Sequence, residues 1–271
     1  MPELPEVETI VRGLRSRIVG TTIEGATVRL ARMAIPPAHA SFDRAIGGEL
    51  VTGVTRRGKY VVVRLGSGRS VVTSLRMTGR LVVARRGAPE HPATHLVLHL
   101  AGDAELRFSD VRTFGRMRLV EPDYAWDALL GVEPLSADFT PQALAGMLAE
   151  RTTPIKVLLL DQRRIAGIGN IYACEALWEA RIRPSRPARA LTKPAVTRLH
   201  GAIVDVLQRA IASRGTSVDD YVDAEGRRGS FQNALAVYGR AGQPCRRCVK
   251  GRIVRILLGQ RGTWWCRRCQ R

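Results

Sequence analysis

The chain has 271 residues, 43 Lys plus Arg against 24 Asp plus Glu, and a formal net charge of +19. At 45% hydrophobic and 25% charged it is too apolar to be disordered and long enough for two modest domains or one large one. The charge points to a polyanionic partner, nucleic acid before membrane surface, and no apolar run approaches the roughly 18–20 residues of a membrane span.

The opening MPELPEVETIVRGL is acidic where a signal peptide would be basic, so a soluble, intracellular chain is expected. After Pro2 and Pro5, the residues Val7, Ile10, Val11 and Leu14 recur at helical spacing, which predicts an amphipathic helix over 2–15. From Thr21 to about Val120 short Val/Ile/Leu/Thr runs alternate with Gly and Arg, for example over 23–30, 59–65, 70–75, 96–100 and 117–120. This texture predicts a strand-rich half, a sandwich with hairpin connections. Residues 130–140 carry no clear period and read as an interdomain linker. Helices are predicted over 141–150, 155–160, 171–180 and 194–214, with the turn Ala166-Gly167-Ile168-Gly169-Asn170 between the second and third. The polar segment 218–230 has the composition of a mobile loop. From Arg240 to the last residue, ten Lys or Arg stand with no acid.

Only four cations are lysines (Lys59, Lys156, Lys193, Lys250); the other 39 are arginines. In such a background a retained lysine is informative. Lys59 lies in Arg56-Arg57-Gly58-Lys59-Tyr60, a hairpin turn entering an apolar strand, where an ordinary solvated lysine is the alternative.

Cys245-x2-Cys248 and Cys266-x2-Cys269 stand 17 residues apart, the spacing of a four-cysteine zinc ribbon or finger around a β-hairpin. Four thiolates leave no open position, so the predicted Zn2+ is structural and holds a basic hairpin toward phosphate. Cys174 reads as packing within a helix.

Pro2 follows Met1, and a small second residue permits removal of the methionine. The group exposed is a secondary α-amine titrating near ~8 against ~10.4 for lysine, a usable nucleophile at neutral pH. Glu3 and Glu6 fall in the first helical turn, where the helix dipole favours carboxylates. On physical grounds alone, N-terminal capping and charge complementarity is the favoured reading of the pair.

Five motifs then occur in one order: PELPEVE, RRGKY, LRMTG with DVRTFG, DQRRIAGIGNIYACEALW, and the four-cysteine finger with QRGTWWC. Together they resemble the bacterial formamidopyrimidine-DNA glycosylases of the Fpg/Nei superfamily, over essentially the whole chain. The resemblance implies an α+β fold: an N-terminal helix and β-sandwich catalytic domain (1–132), a helix–two-turns–helix DNA-binding domain (133–235) and a four-cysteine zinc finger (236–271). It implies a bifunctional glycosylase and abasic-site lyase acting on oxidised purines in double-stranded DNA as a monomer, in the bacterial cytoplasm.

Under that resemblance Pro2 is the Schiff-base nucleophile, Glu3 protonates the sugar O4′, and Glu6 orients the base or a water. Lys59 serves β-elimination, and Arg261 grips phosphate and assists δ-elimination. Met77, Arg112 and Phe114 fill the void left by the everted base. Arg151, Lys156 and Asn170 contact the DNA backbone, and Cys245, Cys248, Cys266 and Cys269 bind zinc. Three departures stand out: Ala93 where many relatives carry histidine, with His91 close by; Arg151 where lysine is common; and Ser230 where tyrosine is common. The rivals are a Nei-type enzyme for oxidised pyrimidines and a non-catalytic nucleic-acid-binding protein. PELPE rather than a PEGPE-like opening, together with the long 218–231 loop, favours the purine enzyme.

Overall fold

The apolar stripe of the first helix decides what the N-terminal half is built around. In a computed structural model, which describes residues 2–36, 41–218 and 221–271, helix α1 runs Leu4–Ile18 and buries Val7, Ile10, Val11, Leu14 and Ile18. Met1, on which the expected processing turns, lies outside the described residues, as do Asp219 and Asp220 of the expected loop.

The chain divides into two compact units, Met1–Ala128 with Ile211–Gln232, and Leu129–Ala210 with Asn233–Arg271. In the first, strands β1 (Thr22–Val28), β2 (Ala34–Ile35), β3 (Glu49–Arg57), β4 (Tyr60–Leu65), β5 (Ser70–Ser74), β6 (Gly79–Arg85), β7 (Thr94–Leu100), β8 (Ala104–Asp110) and β9 (Arg116–Val120) form one sheet. Its order is β2-β9-β5-β4-β3-β1-β7-β8-β6, with only β2 and β9 parallel. The join between halves is narrow: β1 and β3 share two pairs, Thr22↔Leu50 and Ile23↔Glu49. Register shifts flank it at Ile23/Gly25 and Val51/Gly53, and such irregularities sharpen bending, so the halves become the two layers of a sandwich. Both layers and α1 supply one core, including Val54, Val61, Val63 and Val71 from one half and Leu96, Leu98, Leu106 and Phe108 from the other. The short helix α2 (Phe42–Ile46), absent from the sequence reading, buries Phe42 and Ile46 there as well.

The loop expected to be mobile is tied down over its described part. Asp223 accepts the N–H groups of Glu225 and Arg227 (3.0 and 2.9 Å), while Tyr221 and Ala224 enter the sandwich core. Its polar composition had concealed these side chain-to-backbone bonds.

The second unit carries α3 (Pro141–Leu148), α4 (Ile155–Leu159), α5 (Asn170–Glu179) and most of α6 (Lys193–Ala212), then the hairpin β10 (Ile253–Leu258) and β11 (Arg261–Cys266). Thr140 caps α3 by accepting the Ala143 N–H at 3.0 Å, with Pro141 at the first position where its missing N–H costs nothing. Helix α6 buries Leu199, Ile203, Val206, Leu207 and Ala210 at the expected spacing. Among the described residues no helix is long and apolar enough to cross a membrane.

Candidate active site and nucleic-acid interface

Glu3 is the N-cap of α1 and forms a capping box: its side chain accepts the Glu6 N–H, and Glu6 Oε2 accepts the Glu3 N–H at 2.8 Å. Both carboxylates are almost fully buried. Pro2 therefore leaves the helix along a direction fixed one residue later. Glu6 Oε1 accepts the Thr216 N–H at 2.7 Å, and the Tyr221 hydroxyl donates to the Glu6 carbonyl at 3.3 Å. Gly215 makes that approach possible. It sits at φ +78°, and a Cβ there would lie 2.8 Å from Glu6 Oε1. Burial, with the Glu6 carboxylate nearby, pushes the Tyr221 hydroxyl pKa up, so this phenol stays a neutral donor. Glu6 thus acts on the N-terminus as a strut.

Lys59 is half-buried in the two-residue connection between β3 and β4, whose last pair is Arg57↔Tyr60. That hairpin is bound to α1 by charge. Arg56 Nε reaches Glu8 at 3.1 Å, and Arg15 donates twice to the Val54 carbonyl, at 3.0 and 3.1 Å. Against the burial that favours its neutral form, Arg12 and Arg56 hold the Glu8 carboxyl below its ordinary range. One helix thus fixes both the chain at Pro2 and the lysine hairpin.

Met77 and the pair Arg112–Phe114 occupy the β5–β6 and β8–β9 loops. Phe114 is 53% exposed, with the Arg112 guanidinium over its ring at 5.0 Å.

In the second unit the segment between α4 and α5 is organised by Gln162. Its amide donates to the carbonyls of Leu160 (3.1 Å) and Ile168 (2.7 Å) and its oxygen accepts the Gly167 N–H (2.9 Å). Asn170 is brought to the first position of α5, at a helix N-terminus where backbone amides suit an anion.

Lys156, expected at phosphate, is instead wholly buried. Its Nζ donates to Asn170 Oδ1 (2.6 Å), Thr263 Oγ1 (2.7 Å) and the Gly262 carbonyl (3.1 Å). The ammonium faces protein oxygens because it lies on the inner side of a short helix, an orientation the sequence does not display. Asn170 Nδ2 donates to the same Gly262 carbonyl at 3.0 Å, leaving its second N–H for another acceptor. Arg261 is the exposed residue after the turn Gly259-Gln260, both at positive φ, the geometry that keeps a two-residue hairpin in twist. Lys156 and Asn170 therefore hold the finger turn beside Arg261. Arg151 is exposed between α3 and α4.

The four paired cysteines lie with their sulfurs within 4.8 Å of one another. The separations Cys245–Cys269 and Cys248–Cys266 are 3.7 and 3.8 Å. A tetrahedron with Zn–S arms of about 2.3 Å has edges of about 3.8 Å, so the set fits a four-thiolate metal. A Cβ at Gly251 would fall 2.8 Å from Cys266 Sγ and 2.9 Å from Cys248 Sγ, so this cradle is closed to any larger residue. Although burial opposes ionisation, backbone N–H groups and the Trp178 indole (3.4 Å) bring the Cys245 thiol down to about 6. Cys174 packs in the same apolar cluster without joining the sulfur set.

The profile of the formamidopyrimidine-DNA glycosylase N-terminal domain matches residues 1–117, and that of the same enzymes' H2TH domain matches 130–222. The chain belongs to the formamidopyrimidine-DNA glycosylase family. It is 45% identical to the Chloroflexus aurantiacus formamidopyrimidine-DNA glycosylase, covering all of this chain and 98% of that one. With the Moorella thermoacetica enzyme it shares 49% over 92% of each. Among solved structures it is 36% identical to the Lactococcus lactis enzyme, with full coverage of both chains. The TM-score is 0.90 against the complex with DNA containing an oxidised pyrimidine and 0.91 against a G226P mutant bound to DNA containing Fapy-dG.

The family frame also shows what the sequence reading missed. Asp110, Gln162 and Glu175 are polar residues inside or beside the family motifs, yet none stood out. Glu175 accepts the N–H groups of Ala236 (2.7 Å), Val237 (3.0 Å) and Tyr238 (2.8 Å), joining α5 to the finger. Burial pushes its pKa up against those three amides. An acid interrupting the apolar run YACEALW was the available signal. Of the departures, His91 accepts the Ala93 N–H at 3.1 Å, and Ser230 is exposed, its hydroxyl donating to the Ser213 carbonyl at 3.2 Å.

Proposed function

We propose that this glycosylase excises oxidised purines such as 8-oxoguanine and formamidopyrimidines and then cleaves the strand as an abasic-site lyase. The observation carrying the reading is the capping box, which holds an N-terminal proline beside a buried carboxyl group. Once Met1 is removed, the Pro2 nitrogen attacks C1′. The C1′–base bond breaks with its electron pair leaving on the base, which takes up the proton that the Pro2 amine sheds; a proton from Glu3 at O4′ then breaks the C1′–O4′ bond and leaves an iminium. An iminium acidifies the C2′ hydrogen; its removal expels the 3′ phosphate, with Lys59 as the proton-transfer group, and a second elimination expels the 5′ phosphate. Glu6 keeps both Glu3 and the chain direction at Pro2 fixed during these steps.

Reaching C1′ requires the nucleotide to leave the stack. Met77 and Phe114 are the apolar wedge for the resulting hole, and Arg112 is the donor for the widowed base. Arg151, Asn170 and Arg261 hold phosphates. Cys245, Cys248, Cys266 and Cys269 hold one Zn2+, which supplies structural cross-linking and no reactive position.

The test is borohydride trapping on a duplex with 8-oxoguanine opposite cytosine, followed by peptide mapping. An adduct at Pro2 is expected; no adduct on this or an abasic duplex, from protein lacking Met1, would overturn the reading. The Lactococcus lactis neighbour bound to an oxidised pyrimidine makes a pyrimidine-containing duplex the second substrate. Trapping there alone would assign the chain to pyrimidine lesions.

A further inference from the structure

The two loops proposed to fill the void converge on a single carboxylate. Asp110 ends β8, pairs with Gly79 of β6 across the ladder, and is wholly buried. Its Oδ1 accepts the Thr78 hydroxyl and, at 3.2 Å, the Arg112 N–H. Its Oδ2 accepts the Gly115 N–H at 2.7 Å. Thr78 Oγ1 also receives the Arg112 N–H at 3.1 Å, closing a small network between Met77's neighbour in one loop and the residues bracketing Phe114 in the other. Two residues here, Arg76 and Thr113, sit at φ +53°, backbone that persists only when its surroundings hold it. Each directly precedes a wedge residue, Met77 or Phe114.

In the β8–β9 loop packing does not supply that hold: Val111 and Phe114 are 60% and 53% exposed. We propose that Asp110 is a positioning residue for opposite-base recognition, fixing the Arg112 guanidinium and the two wedge side chains through the backbone they stand on. This rests on the void-filling reading of Met77, Arg112 and Phe114. The two Asp110 oxygens take all three donors at once. An asparagine of nearly the same shape must turn its NH2 toward either Gly115 N–H or the Thr78–Arg112 side, so one end of the network breaks. A guanidinium reads a base through paired bonds in fixed geometry, so loosening its backbone erodes discrimination between bases more than it erodes sugar chemistry.

The experiment compares the intact protein with Asp110→Asn, Thr78→Val and Arg112→Ala. It measures excision of 8-oxoguanine opposite cytosine and opposite adenine, trapping at a preformed abasic site, and amide exchange over 76–79 and 111–115. For Asp110→Asn the cytosine-to-adenine rate ratio is expected to fall by about tenfold, the loss of one bond of about 1.4 kcal/mol, toward that of Arg112→Ala. Abasic trapping should fall less, and exchange should rise in the two loops with α1 unchanged. Thr78→Val shifts the ratio the same way by a smaller factor. A ratio and loop exchange unchanged in Asp110→Asn overturn the proposal, as does an equal fall in every activity with a uniform loss of protection. If the unsubstituted protein neither excises nor traps, the proposed function fails instead, and loop exchange still decides whether Asp110 binds the two loops together.

Discussion

Lys156→Met keeps the aliphatic stem of a buried side chain and removes the ammonium that satisfies Asn170 Oδ1, Thr263 Oγ1 and the Gly262 carbonyl. Gly262 retains the bond from Asn170 Nδ2, and the Thr263 hydroxyl retains its own donation to the Arg261 carbonyl at 3.1 Å. Asn170 Oδ1 loses the one donor identified for it, and Thr263 one of its two bonds. Orphaned buried acceptors cost about 1–3 kcal/mol each, partly offset because a desolvated ammonium is no longer needed, giving a net loss of about 2–3 kcal/mol. Calorimetry should show the transition of the second unit lowered by about 5–10 °C. DNA affinity at each salt concentration should drop, because Asn170 and the Arg261 turn lose their fixed geometry. The slope of log affinity against log salt should nevertheless parallel that of the unsubstituted protein, since no phosphate has lost a cation. Arg261→Ala is the contrast: its slope should fall by about 0.9 with little change in melting. Normal melting and a slope reduced by about 0.9 in Lys156→Met would refute the burial argument and return Lys156 to the phosphate contacts.

The remaining predictions concern the N-terminal strut, acid stability and the metal. Gly215→Ala places a Cβ 2.8 Å from Glu6 Oε1 at φ +78°; we expect at least about 1–2 kcal/mol of destabilisation, with excision slowed more than abasic trapping, read by urea unfolding and single-turnover rates. Glu3→Gln should abolish base excision while leaving cleavage of a preformed abasic site, and excision at the unsubstituted rate would remove Glu3 from the chemistry. Because the folded Glu8 pKa is depressed, its stabilisation is present above the unfolded value near 4.5 and is lost as pH falls below it. Glu8→Gln should therefore be the less stable protein at pH 6, with the difference closing on acidification in a thermal-melt series. Denaturation should release one zinc per chain to a colorimetric chelator, and Cys269→Ser should lower that stoichiometry and alter Trp264 and Trp265 fluorescence.

The longer helices and most strands were legible because their apolar residues repeat with the period of the element: Val7, Ile10, Val11 and Leu14 recur at helical spacing, and all four are buried. Cysteine spacing was equally direct, since two x2 pairs and a hairpin length nearly determine a tetrahedral sulfur set. The joining of residues 211–232 to the first unit was not legible. It depends on Thr216 N–H meeting Glu6, 210 residues apart in sequence, and no local pattern encodes that bond. Lys156 shows the same blindness: a lysine beside Pro154 and Ile155 reads as a surface cation until its three acceptors, two of them more than 100 residues away, are in place.

Among the described residues, four of the groups and loops proposed to work on DNA are held by a buried polar residue one step behind them. Glu6 stands behind Glu3, Asp110 behind the Met77 and Arg112–Phe114 loops, Lys156 behind Asn170 and the Arg261 turn, and Glu175 behind the finger. None of these four is exposed by more than about a twentieth of its surface, and for stability alone each is a poor choice, because apolar side chains of similar size avoid the desolvation they suffer. What they provide is direction. A hydrophobic contact is indifferent to small rotations, whereas a carboxylate gripping two or three N–H groups fixes the backbone that carries the working side chain. On the proposed reading, the groups that enter the duplex cannot be buried in the protein's own core, since they have to be free to meet DNA. The ordering must then come through the main chain, and buried acceptors or donors at element ends are the means by which this fold achieves it.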